Sequence, residues 1–183
     1  MTAAQANTTT IEEYFTHQLT CEGRHEYDNG HLYRVPDEMD IENLTASALV
    51  CLFFKTLHKQ GYQLYAHTVR IAIPNEPKFY YPDVFITKEL KTRDNEFVKY
   101  EPELIVEVTS SKTLTRNTVY KFIDYTKIPS LKYYLVVHFR KHITYCYFKD
   151  GNGEWQVDFY TLPKEIIYLP LLGIEIPLKE IYQ

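Results

Sequence analysis

The chain has 183 residues, 45% of them hydrophobic, and a formal charge of −4; this fits one domain with a sizeable core and argues against a protein that grips polyanions by its overall field. No stretch reaches the ~20 apolar residues of a membrane span, and the opening segment from Met1 to Thr10 lacks the basic and apolar regions of a signal peptide. Cys21, Cys51 and Cys146 are odd in number, far apart and in no CxxC spacing, so neither a disulfide framework nor a zinc knuckle is indicated and a cytoplasmic setting is expected.

Residues 1–9 read as a disordered tail and 10–183 as a single domain. Thr10 with Glu13 forms a capping box that starts a short helix. Asn29-Gly30 lies between two short strand-like runs, the strongest local signal for a hairpin. From Ile41 to about Gln60, Ile41, Leu44, Ala48, Leu49, Leu52, Phe53 and Leu57 recur at three and four, and Gly61 stands where a C-terminal cap belongs; this is the long helix. Strands are expected over 62–65, 69–73, 79–87 and 103–109, each rich in β-branched or aromatic residues. A second helix from Thr115 to about Lys127 ends at Ile128-Pro129 and leads into the apolar run Leu131–Val137, so strand, helix and strand make a crossover unit. An antiparallel hairpin over 143–160, a strand over 166–169 and a terminal run over 171–178 complete a mixed α/β fold around one sheet.

Two acidic residues stand out in this frame. Asp83 lies in the apolar run 79–86 and Glu107 in Pro102-Glu-Leu-Ile-Val-Glu-Val108. A carboxylate in an apolar strand is costly unless it is paired, hydrogen-bonded or bound to a cation, and Mg²⁺ takes one or two carboxylates while keeping waters for chemistry. Glu103, Ile105 and Glu107 share one strand face; Leu104, Val106 and Val108 share the other, which must be core. Lys121 and Tyr125, four apart on the second helix, lie on one helix face and can reach back over the strand end. Two carboxylates, a divalent ion and an ammonium form a device for phosphodiester hydrolysis that needs no protein nucleophile.

These residues carry a resemblance. Tyr81-Pro-Asp-Val84, Pro102-Glu-Leu-Ile-Val-Glu-Val-Thr-Ser110, Lys121, Tyr125 and Leu131-Lys-Tyr-Tyr-Leu-Val-Val137 together resemble the Uma2 family, formerly a domain of unknown function, of the PD-(D/E)XK restriction-endonuclease-like superfamily. Leu169–Leu178, Glu180–Tyr182, and Glu26 with Gly30 resemble its terminal patterns, so the likeness covers nearly the whole chain. It implies a mixed central β-sheet flanked by helices, with N-terminal and C-terminal β-hairpins. It also implies a Mg²⁺-dependent DNA endonuclease, with Mn²⁺ able to substitute, acting as a homodimer with no membrane association. Asp83 and Glu107 become the metal-binding acids and Lys121 the catalytic lysine, with Glu26, Ser110 and Tyr125 in support. Thr109 occupies the usual lysine position, Asn117 stands where many members carry an acid, and Asn43 lies near a position where histidine is common.

Plainer readings compete. Asp83 can be a strand-end acid accepting backbone hydrogen bonds, Glu107 and Lys121 a structural salt bridge, Lys121 a solvated helix lysine, Glu103 a surface carboxylate, and Glu26 a cross-strand charge partner. Pro36-Asp37 repeats the Pro-Asp pair without an ExV strand after it and reads as a turn before the long helix. The seven histidines show no HExxH or HxH, which sets aside a zinc reading. The 17 tyrosines and 10 phenylalanines alternate in strands as packing residues do, more than as base-stacking platforms. The rival to a nuclease is a catalytically inactive nuclease-fold domain that binds nucleic acid or oligomerises, and a purely structural salt-bridged core is a third reading. Specificity is expected to lie in loops such as 88–99.

Overall fold

The computed structural model describes residues 8–37, 39–89 and 96–182. Helix α1 (Ile11–Thr20) starts at the expected capping box: Glu13 N–H donates to Thr10 Oγ1 at 3.2 Å, and Thr10 N–H donates to Glu13 Oε2 at 2.7 Å. The hairpin of β1 (His25–Asp28) and β2 (His31–Arg34) turns at Asn29 (φ 49°) and Gly30 (φ 90°), the left-handed pair a two-residue hairpin requires. Gly30 is needed for space as well, since a Cβ there would meet Thr8 Cβ at 2.7 Å. The tail expected over residues 1–9 falls mostly outside the described residues; at its end Thr9 N–H donates to Gly30 O and Thr9 O accepts from Tyr27.

Helix α2 (Asp40–Leu57) continues into a 3₁₀ turn (His58–Gln60) closed by Gly61 at φ 80°. Its buried stripe is Thr45, Ala46, Leu49, Phe53 and Leu57. Leu44, part of the apolar periodicity, is 64% exposed, so the first turn lies outside the core. No helix among the described residues is long and apolar enough to cross a membrane.

The sequence suggests one sheet; the described residues form two larger sheets and a two-stranded pair. The expected strand over 79–87 is divided into β5 (Lys78–Tyr80) and β6 (Val84–Thr87), which belong to different sheets. Pro82 has no N–H for a ladder, and Tyr81 N–H donates instead to Glu26 Oε1 at 3.2 Å, so the chain leaves one sheet and enters the other at Tyr81-Pro82-Asp83. The five-stranded sheet runs β2-β1-β5-β4-β7, with β4 (Arg70–Ala72) and β7 (Val98–Lys99) parallel. Strand β7 falls within the segment expected to be a loop over 88–99, of which 90–95 lie outside the described residues. The six-stranded sheet runs β11-β10-β9-β8-β6-β3. Its strands are β3 (Gln63–Ala66), β6, β8 (Pro102–Thr109), β9 (Tyr133–His138), β10 (Ile143–Lys149) and β11 (Trp155–Tyr160).

Strands β8 and β9 pair in parallel, with Glu107 opposite Val136, and the helical crossover between them is the expected unit. That crossover is not a regular α-helix: it opens with a π-helix over Arg116–Lys121 and closes with α3 (Phe122–Tyr125). At the C-terminus, β12 (Ile166–Leu169) and β13 (Ile174–Pro177) pair across a 3₁₀ turn, and a last helical turn, α4 (Leu178–Ile181), follows.

Both faces of β8 are core. Leu104, Val106 and Val108 pack with Leu49, Phe53 and Leu57 of α2 and with Ile167 and Ile176. On the other face Ile105 packs with Phe85, Tyr125, Ile128, Tyr134 and Val136. A separate small core of Tyr14, Tyr27, Ala72, Phe79 and Val98 fixes α1 to the five-stranded sheet, with the Tyr14 ring stacked 5.0 Å from Tyr27 and 5.7 Å from Phe79.

Candidate functional site

The last ladder pair of β6 and β8 is Val84 opposite Val106. One step further, at the point where Pro82 ends the pairing, Asp83 faces Glu107 across the two strands. Asp83 Oδ2 accepts the N–H of Val108 at 2.6 Å, the peptide joining Glu107 to Val108, so the acid is tied to the Glu107 strand. Its other oxygen lies 3.8 Å from His67 Nδ1.

Glu107 is 3% exposed and Lys121 5%. The Lys121 ammonium lies 2.7 Å from Glu107 Oε1 and 2.9 Å from Glu26 Oε1, and the Tyr125 hydroxyl donates to the same Glu107 oxygen at 2.9 Å. Arg116 bonds the second oxygen of Glu26. Glu26 is 2% exposed and opposes Tyr33 in its hairpin, so it is a buried partner of the crossover and not a cross-strand charge partner.

The π-helix explains how one helical segment delivers two cations to one carboxylate. With i→i+5 bonding, residues five apart come to one side of the helix, whereas 3.6 residues per turn would send them well apart. Arg116 and Lys121 have this spacing and both reach Glu26. Burial alone would lower the Lys121 pKa, but the flanking Glu107 and Glu26 carboxylates outweigh it and hold the ammonium above its ordinary range. Tyr125 is pushed well up, by burial first and then by the Glu107 charge, so it stays a hydroxyl donor.

A pocket of about 100 Å³ opens beside these groups, lined among others by Glu26, Asp83, Glu107, Arg116, Asn117 and Lys121. Asp37 and Glu42 also line it, so the turn after β2, read from sequence as a mere approach to the helix, borders the site. Asn117 is buried and lines this pocket.

Other expected residues lie elsewhere. Ser110 starts the crossover, its carbonyl accepting from Thr113 N–H at 3.2 Å and Leu114 N–H at 3.0 Å. Thr109 is fully buried and bonds Thr113 Oγ1 at 2.7 Å. Glu103 turns away to Tyr62 (2.9 Å) and Lys132 with its side chain only 14% exposed, so it is a paired, half-buried acid and not the surface carboxylate expected. Asn43 is exposed and does not line the pocket. Arg116 was missed because α-helical periodicity gives a spacing of five no meaning.

The donors fit a hard cation. Asp83 and Glu107 offer oxygen alone, and among the described residues Glu107 Oε2 carries no hydrogen bond while Oε1 carries two. Asp83, Glu107 and Glu26 are not drawn into a compact trio of ligand atoms, but Mg²⁺ needs only one or two carboxylates with waters completing its shell.

The sequence model of the Uma2 family, described as "Putative restriction endonuclease", matches residues 11–179. A Synechocystis protein, sll1609, described as uncharacterized, is 26% identical over 157 residues, covering 85% of this chain and 89% of its own length. The crystal structure titled "putative nuclease belonging to DUF820" from Anabaena variabilis superposes with a TM-score of 0.69 at 11% identity, over 92% of this chain and 97% of that one. Similarity at that identity speaks to the fold alone.

Proposed function

Because the chain belongs to the Uma2 family of restriction-endonuclease-like proteins, we propose that it is a Mg²⁺-dependent DNA endonuclease that hydrolyses phosphodiester bonds with an activated water. The observation that carries this reading is the buried Lys121 ammonium held between Glu107 and Glu26 beside the Asp83–Glu107 pair. Asp83 and Glu107 are the residues that would hold Mg²⁺, with Mn²⁺ able to replace it. When bound, the ion supplies Lewis acidity and a water of lowered pKa.

The chain's own groups do the rest. Lys121 stabilises negative charge developing on the attacked phosphate, at no reorganisation cost because Glu107 and Glu26 already fix it. Tyr125 orients the Glu107 carboxylate. Arg116 shares Glu26 and leaves its partly exposed guanidinium near the pocket mouth, where a phosphate oxygen would approach. A cytoplasmic homodimer, one subunit per strand, completes the reading.

A second reading rests on charge balance. Glu26 and Glu107 are already matched by Lys121 and Arg116, a balance that also suits a non-catalytic nuclease-fold module that binds nucleic acid or oligomerises. Calorimetric titration of Mg²⁺ and Mn²⁺ into the wild type and Asp83→Asn, with supercoiled and single-stranded DNA as substrates, separates the two. The nuclease reading expects binding and nicking that both vanish in the variant; a folded wild type with neither supports the module.

A further inference from the structure

The end of α1 and the start of β1 bring together His17, Cys21 and His25, whose candidate ligand atoms all lie within 4.8 Å of one another. The spacing H-x₃-C-x₃-H is neither HExxH nor CxxC, and only the hairpin's return against α1 closes it. His17 lies in the last turn of α1 and Cys21 is its extended C-cap, whose N–H donates to His17 O at 2.9 Å, while His25 begins the strand that carries Glu26.

We propose that His17, Cys21 and His25 form a binding site for a thiolate-preferring divalent ion of the Zn²⁺ class, separate from the carboxylate site. Cys21 Sγ lies 3.7 Å from His25 Nδ1. Two ligands on one tetrahedral Zn²⁺, with bonds of about 2.3 Å to sulfur and about 2.0–2.1 Å to nitrogen, stand roughly 3.6 Å apart, so this edge of the site has the required length. The His17 and His25 rings meet edge to face with centroids 5.1 Å apart. All three residues are partly exposed, which leaves an entry path and room for a water as fourth ligand.

The surroundings support the ligands. Gln18 Nε2 lies 3.3 Å from Cys21 Sγ, so its amide can donate to a thiolate, and it lies 3.2 Å from His25 Nδ1, a contact that a bound ion would replace. Its Oε1 accepts from His25 N–H at 3.2 Å and from the Tyr81 hydroxyl at 3.1 Å. Burial, with His17 and Arg34 adding to it, lowers the His25 pKa and keeps its ring neutral, the form that binds metal. Binding would release the Cys21 proton and tie α1 to β1, next to Tyr81, whose own N–H holds Glu26. An ion here would therefore have a structural role, bracing the strand that places Glu26.

Cobalt(II) gives the test. Its titration into the full-length wild type is expected to produce the near-ultraviolet thiolate-to-metal band and the visible bands of a tetrahedral ion, saturating at one equivalent and bleached by Zn²⁺. The oxygen-only Asp83 and Glu107 give no thiolate band, so Asp83→Asn and Cys51→Ser should leave the spectrum unchanged, whereas Cys21→Ser and His17→Gln should abolish it. Absence of the band in the wild type, or its survival in either Cys21→Ser or His17→Gln proteins with native circular dichroism, overturns the proposal.

Discussion

Arg116 and Lys121 bond opposite oxygens of the one Glu26 carboxylate, although they stand five positions apart along the chain. Glu26 is thus the counter-charge for both cations, and Lys121 has only Glu107 besides it among the described residues.

Glu26→Gln therefore leaves a buried ammonium with half its compensation. Breaking a buried pair from one side costs about 3–5 kcal/mol; the lower end is expected because the partly exposed Arg116 regains water. Urea unfolding should show this loss, and an unchanged midpoint would mean that the three charges are not coupled as described.

For Lys121→Ala the two readings of the site diverge. If the ammonium stabilises charge on the attacked phosphate, cleavage should fall by about 10²–10³, the usual cost of removing one such donor, while Mg²⁺ still binds Asp83 and Glu107. Single-turnover cleavage beside calorimetry measures both. Lower stability with undiminished cleavage would make Lys121 structural.

Asn117→Asp adds an acid of nearly the same shape to the pocket wall. Divalent-ion affinity should rise several-fold, read by titration, if the pocket is where the ion sits. No change would place the ion elsewhere.

A pH dependence follows from Asp124, which gathers Lys78 (2.9 Å), Lys127 (2.7 Å) and the Tyr80 hydroxyl (2.6 Å). Burial would raise its pKa, but hydrogen bonds from Lys127, Tyr80 and Lys78 prevail and hold it below the ordinary 3.8. A carboxylate lowered by folding stabilises the fold above its unfolded value, and that stabilisation is lost as pH falls through the folded one. Asp124→Asn should be less stable at neutral pH by about 1–3 kcal/mol, with a flatter decline below pH 3.8. Melts from neutral to acid pH check both the offset and the slope.

Local chemistry was legible in the sequence where one residue type decides the geometry. The Thr10–Glu13 box, the Asn29-Gly30 turn and the Gly61 cap each depend on a side chain or backbone freedom few residues supply. The approach of Asp83, Glu107, Lys121 and Tyr125 was also readable, because two strand ends and one i,i+4 pair suffice to suggest it. Partition into two sheets was not. Residues 79–87 read as one strand, but Pro82 has no N–H for the ladder and the Tyr81 N–H goes to Glu26, which is remote in sequence, so the strand divides there. Glu26 was reached only through the family resemblance, since its own hairpin suggests a cross-strand partner and its role depends on tertiary pairing; Arg116 stayed hidden because apolar patterning does not report a spacing of five.

The passage of the chain between sheets at Tyr81-Pro82-Asp83 gives the site two separate supports. Asp83, Glu107 and Tyr125 rest on the core that Phe85, Ile105 and Tyr134 share with Ile71 and Tyr80, while Glu26 rests on β1 and the small aromatic core beside α1. The site is then only as durable as the lesser of these supports: loosening α1 and β1 would remove Glu26 from Lys121 while the six-stranded sheet stayed folded, so the proposed cleavage is expected to fail on warming before the bulk of the molecule melts.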